Sequence, residues 1–126
     1  MASRKARRVA AAFAAATLAL ALLAPAASAH DSIVATSPKT GGSAKTTQKR
    51  VAVLFSGPIV SGTLKVFGPQ GNKVSKGIGG RDPRNVKRLV VALKSGLAAG
   101  KYTAKVKWTA ADGHHQEASF GFRLTR

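Results

Sequence analysis

Residues 101–109, which read Lys-Tyr-Thr-Ala-Lys-Val-Lys-Trp-Thr, decide the fold class of this chain. Every second side chain from Tyr102 to Trp108 is apolar, and threonine or lysine stands between them. A period of two is typical of a strand that buries one face. Residues 118–124 repeat the pattern, with Ser, Gly and Arg between Ala, Phe, Phe and Leu. The two stretches predict two half-buried strands, with Tyr102 and Trp108 in the core.

Other parts of the chain carry shorter versions of the same signal. Further strands are predicted at 33–35, 51–55, 63–66 and 89–93, and one more near Val74. Residues 75–85 hold three glycines and a proline and are predicted to form a mobile loop. No stretch after residue 30 shows the apolar period of a helix. Short strands between Gly/Pro turns predict a small all-β sandwich or barrel.

The composition excludes several kinds of site. The chain has 126 residues, enough for one domain, and a formal charge of +17 from 21 basic and four acidic residues. It has no cysteine, which excludes disulfides, thiolate metal sites and cysteine nucleophiles. Its only methionine is Met1, so no methionine cluster can hold a soft metal ion. Four carboxylates leave little material for a calcium loop.

The first 29 residues have the pattern of an export signal. Four basic residues between positions 4 and 8 precede an apolar run from Val9 to Leu23, and Ala27-Ser28-Ala29 is a small-x-small cleavage motif. The apolar run is short for a membrane span, which needs about 20 residues, although an uncleaved anchor is the alternative. Removing 29 residues and their four positive charges would leave a mature domain of 97 residues, 30–126, with a charge of +13. The predicted location is the periplasm or another extracytoplasmic compartment.

Cleavage after residue 29 would make His30 the new N-terminus. A free α-amine has a pKa near 8, well below that of a lysine, so it can lose its proton to a metal ion at neutral pH. The amine nitrogen and Nδ1 of the same histidine can then close one chelate ring. The alternative is that His30 is simply the first residue of a frayed terminus.

Asp112, Gly113, His114 and His115 form a second group with possible metal ligands. Residues two apart on an extended chain point to the same side, so Asp112 and His114 could serve one ion while His115 points away. The alternative is a polar turn, for which Asp-Gly is a common choice. One amine, two imidazoles and one carboxylate would suit Cu(II) best, with Zn(II) or Ni(II) tolerated.

Three blocks of sequence resemble one known family. Residues 30–41 resemble the opening H-A-x-L-x-x-S-x-P-x-x-G of the CopC-type periplasmic copper-resistance proteins, also called PcoC-like. Residues 51–59 are similar to the family's V-x-L-x-F-S-E-P-V. Residues 100–122 resemble its G-x-Y-x-V-x-W strand, its D-G-H motif and its closing F-x-F strand.

The resemblance implies a small antiparallel Greek-key β-sandwich or barrel of immunoglobulin-like type, with about seven strands. It also implies one Cu(II) ion bound by His30, Asp112 and His114. Two residues depart from the family pattern: Gly57 stands where some members have a glutamate near the copper, and His115 replaces a proline. The methionine-rich Cu(I) site of some members is absent.

The expected function is that of an exported, non-enzymatic carrier or buffer of Cu(II) in copper homeostasis or resistance. Its expected partners are the copper ion and, by family resemblance, a separate CopD-like membrane copper transporter. The alternative is a cationic protein that binds a polyanion or an anionic cell-envelope polymer, with a weak or vestigial copper site. Nucleic acid is not expected as a partner. An enzyme is not expected either, because the histidines, serines and carboxylates form no catalytic motif.

Overall fold

The computed structural model describes residues 31–126, and its regular structure in this range consists of strands. The strands are β1 (Ile33–Ser37), β2 (Ser43–Lys45), β3 (Arg50–Phe55), β4 (Ile59–Phe67), β5 (Ser75–Asp82), β6 (Asn85–Leu93), β7 (Gly100–Ala110) and β8 (His115–Thr125). Within the described range there is no helix of the length and apolarity that a membrane span requires.

The strands form two four-stranded sheets that pack face to face. One sheet has the order β1-β3-β6-β5 and the other β2-β8-β7-β4. Without β2, this is the strand order of the immunoglobulin fold, ABED in one sheet and CFG in the other. The predicted all-β, immunoglobulin-like sandwich is therefore confirmed. Residues 31–126 form eight strands instead of about seven, and the additional strand is the short β2. It pairs with β8 in parallel, whereas the other named strand pairs are antiparallel.

The core lies between the sheets and is built from the alternating apolar positions. Tyr102 and Trp108 retain only 2% and 6% of their exposure, which confirms their predicted place in the core. The rings of Trp108 and Phe55 join the two sheets, with centroids 4.8 Å apart. The fully buried apolar side chains include Val51, Val53, Leu64, Val66, Leu89, Ala104 and Leu124.

The prediction of a mobile loop over residues 75–85 is wrong. Residues 75–82 form β5, which pairs with β6 at the edge of the first sheet. Gly77 and Gly79 both have a φ of +67°, and the register with β6 shifts in this stretch. Only glycine adopts such a backbone readily. A bulged, glycine-rich edge strand buries few side chains, so it lacks the apolar alternation that identifies a strand in a sequence.

A buried carboxylate holds the tight turn from β5 to β6. Asp82 accepts a hydrogen bond from the backbone N–H of Arg84 at 2.9 Å and another from Nε of Arg88 at 3.0 Å. Both interactions favour the ionised form, the backbone bond most, and they lower the pKa of Asp82 below its usual value. The turn is therefore tied to the following strand by a charged pair.

A buried tyrosine fixes the start of β7. The hydroxyl of Tyr102 donates a 2.5 Å hydrogen bond to the carbonyl of Ala98, four residues upstream. Burial raises the pKa of the Tyr102 phenol above its ordinary value. This backward bond is the tyrosine corner typical of immunoglobulin-like sandwiches. It anchors the strand whose far end carries the loop with Asp112.

Candidate metal centre

One end of the sandwich brings the start of the described chain to the loop between β7 and β8. Ile33 at the start of β1 pairs with Phe55 at the end of β3. A three-residue turn leads from there to Ile59, which pairs with Ala110 at the end of β7. The pairings therefore place Asp31 at the same end of the molecule as residues 111–114. His30, the predicted N-terminal ligand, lies outside the described residues and precedes Asp31 by one peptide bond.

The β7–β8 connection is a tight hairpin turn in which three residues, 111–113, lie between the hydrogen-bonded residues Ala110 and His114. Gly113 donates its N–H to the carbonyl of Ala110 at 2.9 Å, and Ala110 donates to the carbonyl of His114 at 2.9 Å. Gly113 has a φ of +88°. This is a turn completed by a residue in the left-handed region, a common three-residue hairpin connection. The loop geometry thus gives Asp112 and Gly113 a structural purpose, as the turn alternative proposed.

The loop also brings two of the predicted ligands together. Asp112 Oδ1 accepts the backbone N–H of His114 at 3.0 Å, and Asp112 Oδ2 lies 3.0 Å from Nδ1 of His114. The pair meets because the loop turns back on itself, and the extended chain assumed from the sequence is not the reason. The His114 side chain is 65% exposed, against 27% for that of Asp112. The hairpin turn uses only the backbone of His114, so the turn does not account for a histidine at this position.

The contact with Asp112 sets which nitrogen of the ring faces outward. Because Nδ1 lies against the carboxylate, an ion bound while this contact persists would use Nε2. A carboxylate that holds the second nitrogen of a ligating histidine is a common arrangement in metal sites, since it fixes the ring orientation and raises its basicity. Asp112 can therefore serve the ion directly or through His114.

His115 lies elsewhere. It begins β8 opposite Thr109, and its Nδ1 is 2.9 Å from the hydroxyl oxygen of that threonine. Its side chain therefore belongs to the outer face of the second sheet. Within residues 31–126, no three His, Asp or Glu side chains are grouped closely enough to hold a metal ion by themselves. The described range thus supplies two members of the predicted ligand set, and the third, His30, falls outside it.

Sequence reasoning overlooked Asp31. A Cβ atom built on Gly57 would lie only 2.3 Å from Oδ1 of Asp31, so the carboxylate occupies the space that any side chain at position 57 would need. The other oxygen, Oδ2, is buried and has no hydrogen-bond partner among residues 31–126. Gly57 was identified as a position where an oxygen ligand is missing, yet a carboxylate from a different residue fills that space. The available signal was an acidic residue next to His30 in a chain with only four acidic residues.

The outer face of the second sheet is strongly basic. Its strands β4, β7 and β8 carry five cationic side chains between buried positions, which are Lys65, Lys101, Lys105, Lys107 and Arg123. Lys65 lies directly opposite Lys105, and Lys101 lies directly opposite Arg123. Like charges in opposing positions destabilise a sheet. These pairings therefore concentrate positive charge at a cost to the stability of the fold.

The fold and the loop define a small immunoglobulin-like sandwich with a carboxylate–imidazole pair at one end. A family model, the CopC domain, matches residues 33–125, and the chain belongs to that family. The solved structures similar to it include CopC from Methylosinus trichosporium OB3b, with 24% identity, a TM-score of 0.63, and coverage of 75% of this chain and 93% of that one. PcoC from Escherichia coli, a methionine-rich copper resistance protein, has 18% identity, a TM-score of 0.62, and coverage of 77% and 100%. The curated proteins contain no match to the chain.

Proposed function

We propose that this chain is an exported, non-enzymatic copper-binding protein of copper homeostasis or resistance. It carries or buffers one Cu(II) ion, bound by His30, Asp112 and His114. The observation that carries the proposal is the Asp112–His114 pair, 3.0 Å apart, at the end of the sandwich where the described chain begins. Membership of the CopC family supports it, as does the structural similarity to PcoC, a copper resistance protein.

The donor chemistry favours Cu(II) over Cu(I). With His30 as the mature N-terminus, the set contains an α-amine, two imidazoles and a carboxylate, and nitrogen and oxygen donors of this kind suit Cu(II). Cu(I) prefers thiolate and thioether ligands, and residues 30–126 contain neither cysteine nor methionine. In this respect the chain differs from the methionine-rich protein it resembles.

The exposure of the pair suits a carrier. The His114 ring sits at the rim of the domain with 65% of its side chain exposed, so an ion held there stays within reach of a second protein. A deeply buried site would need the fold to open before it released its ion. The recipient we propose is a separate CopD-like membrane transporter. Export to the periplasm or another extracytoplasmic location follows from the signal pattern of residues 1–29.

The decisive experiment is a Cu(II) titration of protein that starts at His30, followed by EPR and by competition with a chelator of known affinity. We expect one tight equivalent with nitrogen hyperfine structure. A version with one extra residue before His30 should bind more weakly, because its amine has become an amide.

The matched pair of variants is His114→Ala and His115→Ala. Each removes one imidazole from adjacent positions, but only the first removes one from the Asp112 contact. We expect His114→Ala to lose affinity and His115→Ala to keep it. Equal affinity in wild type and His114→Ala would overturn the proposed site.

The basic sheet face favours a second candidate function, attachment to an anionic cell-envelope polymer. Five cations on one flat face, two pairs of them in direct opposition, form a surface complementary to a polyanion.

Binding to polyphosphate immobilised on a support should weaken steeply as salt rises, whereas copper binding should respond little. Lys65→Gln with Lys105→Gln and Arg123→Gln should release the protein. The control removes three cations outside this face, Lys39, Lys76 and Lys87. If both triple variants bind equally, the face has no special role.

A further inference from the structure

One buried carboxylate oxygen in the described part of the chain lacks a partner, and it belongs to Asp31. Its Oδ2 is shielded from solvent and makes no hydrogen bond. An ionised oxygen that is removed from water without a donor or a cation is costly. Residues 31–126 are rich in cationic side chains, yet none of these side chains bonds to this oxygen. A positive charge that binds near Asp31 in the functional state would offset the cost of burying this oxygen.

Two hydrogen bonds of the next residue, Ser32, hold Asp31 in position. Ser32 donates its N–H to the hydroxyl of Ser56 at 3.0 Å, and Ser56 donates its N–H to the carbonyl of Ser32 at 2.8 Å. These two bonds clamp the segment against the β3–β4 turn. The absence of a side chain at Gly57 then leaves room for the carboxylate to fold inward. A glycine at that place and an acid at position 31 are therefore complementary.

We infer that Asp31 is a second carboxylate of the copper centre and strengthens Cu(II) binding through its charge. This inference rests on the proposed function. Asp31 lies one peptide bond from His30 and at the same end of the sandwich as Asp112. It acts from outside the direct ligand set, because Asp31, Asp112 and His114 do not form a ready-made group of three. Two carboxylates would then balance the two charges of the ion.

The primary test compares Asp31→Asn with Glu117→Gln, both in protein that starts at His30. Each variant removes one negative charge with little change of shape. Glu117, however, lies on the outer face of β8 opposite Lys107. Loss of a supporting residue around a metal typically costs about 10–100-fold in affinity. We expect a loss of that size in Asp31→Asn, with an altered EPR spectrum, and wild-type affinity in Glu117→Gln. The melting temperature of the metal-free protein should not fall in Asp31→Asn.

Gly57→Ala gives an independent test through shape. Its methyl group would lie 2.3 Å from Oδ1, and ordinary contact begins at 3.4 Å, so the carboxylate must retreat by about 1.1 Å. The φ of Gly57 is not positive, so alanine fits its backbone. We expect weaker Cu(II) binding in Gly57→Ala and no further loss when it is combined with Asp31→Asn, because both changes act on one carboxylate. Independent, additive losses would contradict the inference.

Failure of the proposed copper site and failure of the Asp31 role alone give different results. If His114→Ala binds Cu(II) as tightly as wild type, the proposed function fails and the role of Asp31 with it. If His114→Ala loses affinity while Asp31→Asn matches the Glu117→Gln control, the copper site stands. Asp31 is then only a filler of the space above Gly57.

Discussion

The hydroxyl of Tyr102 should stabilise the whole domain by a measurable amount. It is buried and donates to the carbonyl of Ala98 at 2.5 Å, and Tyr102→Phe removes the donor while keeping the ring in the core. A hydrogen bond of this kind contributes about 1 kcal/mol net, which corresponds to a fall in melting temperature of about 4–8 °C for a domain of this size. Urea unfolding followed by the fluorescence of Trp108, the only tryptophan, measures the loss.

The control for this measurement is Ser119→Ala, which removes an exposed hydroxyl from the outer face of the neighbouring strand β8. We expect it to leave the unfolding midpoint almost unchanged. The slope of the free energy against urea should be the same in both variants, because neither changes the surface exposed on unfolding. If Tyr102→Phe unfolds at the wild-type urea concentration, the tyrosine corner does not hold β7 in place.

The same tyrosine gives a prediction about pH. Burial raises its pKa, so the unfolded chain ionises first as pH rises past 10. The stabilisation is complete below pH 10 and is lost as pH rises through the raised pKa of the folded protein. The advantage of wild type over Tyr102→Phe should therefore shrink above pH 10. Since this is the only tyrosine, the ultraviolet absorbance of tyrosinate reports it alone, and a midpoint at or below 10 would refute the argument.

Three further perturbations have defined outcomes. Gly77→Ala and Gly79→Ala both place alanine at a φ of +67°, which costs about 1–2 kcal/mol. Only Gly79→Ala also brings a Cβ to 2.7 Å from a carbonyl of β6, so urea unfolding should show a further loss of about 1–3 kcal/mol; equal losses would contradict this packing. Asp82→Asn should lose stability at neutral pH but not in strong acid. Its lowered pKa means that the stabilisation by its carboxylate is present above about pH 4 and disappears as pH falls through the folded-state value; a wild-type advantage that persists in acid would exclude this linkage. Lys65→Gln should raise stability at low salt by about 0.2–1 kcal/mol, because it removes the repulsion with Lys105. That gain should vanish near about 1 M salt, and a gain independent of salt would rule out a charge effect.

The strands that the sequence predicts well are those with one face in the core. In β7 and β8, apolar and polar residues alternate because the inner side chains pack between the two sheets and the outer ones face solvent. The residue types therefore predict which side chains are buried. For β5, the sequence indicates only a strand near Val74 and not its extent. The reason is that glycines with positive φ interrupt the apolar alternation of this edge strand. β2 was missed because three residues are too few to show a period.

The site divides along similar lines. The proximity of Asp112 and His114 can be predicted because the two residues are close in the chain, although a turn and not an extended strand brings them together. Asp31 and Gly57 are 26 positions apart, and their complementarity depends on how β1 lies against β3. This contact between residues distant in the chain cannot be predicted from the local sequence pattern. The ligand roles of His30, Asp112 and His114 stay predictions.

The core of this sandwich contains carbon, nitrogen and oxygen but no sulfur. From residue 30 onward there is neither a thiol nor a thioether, and the hydrophobic core between the sheets is built from aliphatic and aromatic side chains. The stepwise oxidation that converts cysteine to sulfenic and sulfonic acids, or methionine to its sulfoxide, has no substrate in such a domain. Peroxide or a redox-cycling metal ion at the rim would therefore find no sulfur to attack. The fold's independence from disulfides also makes it insensitive to the thiol–disulfide balance of its surroundings.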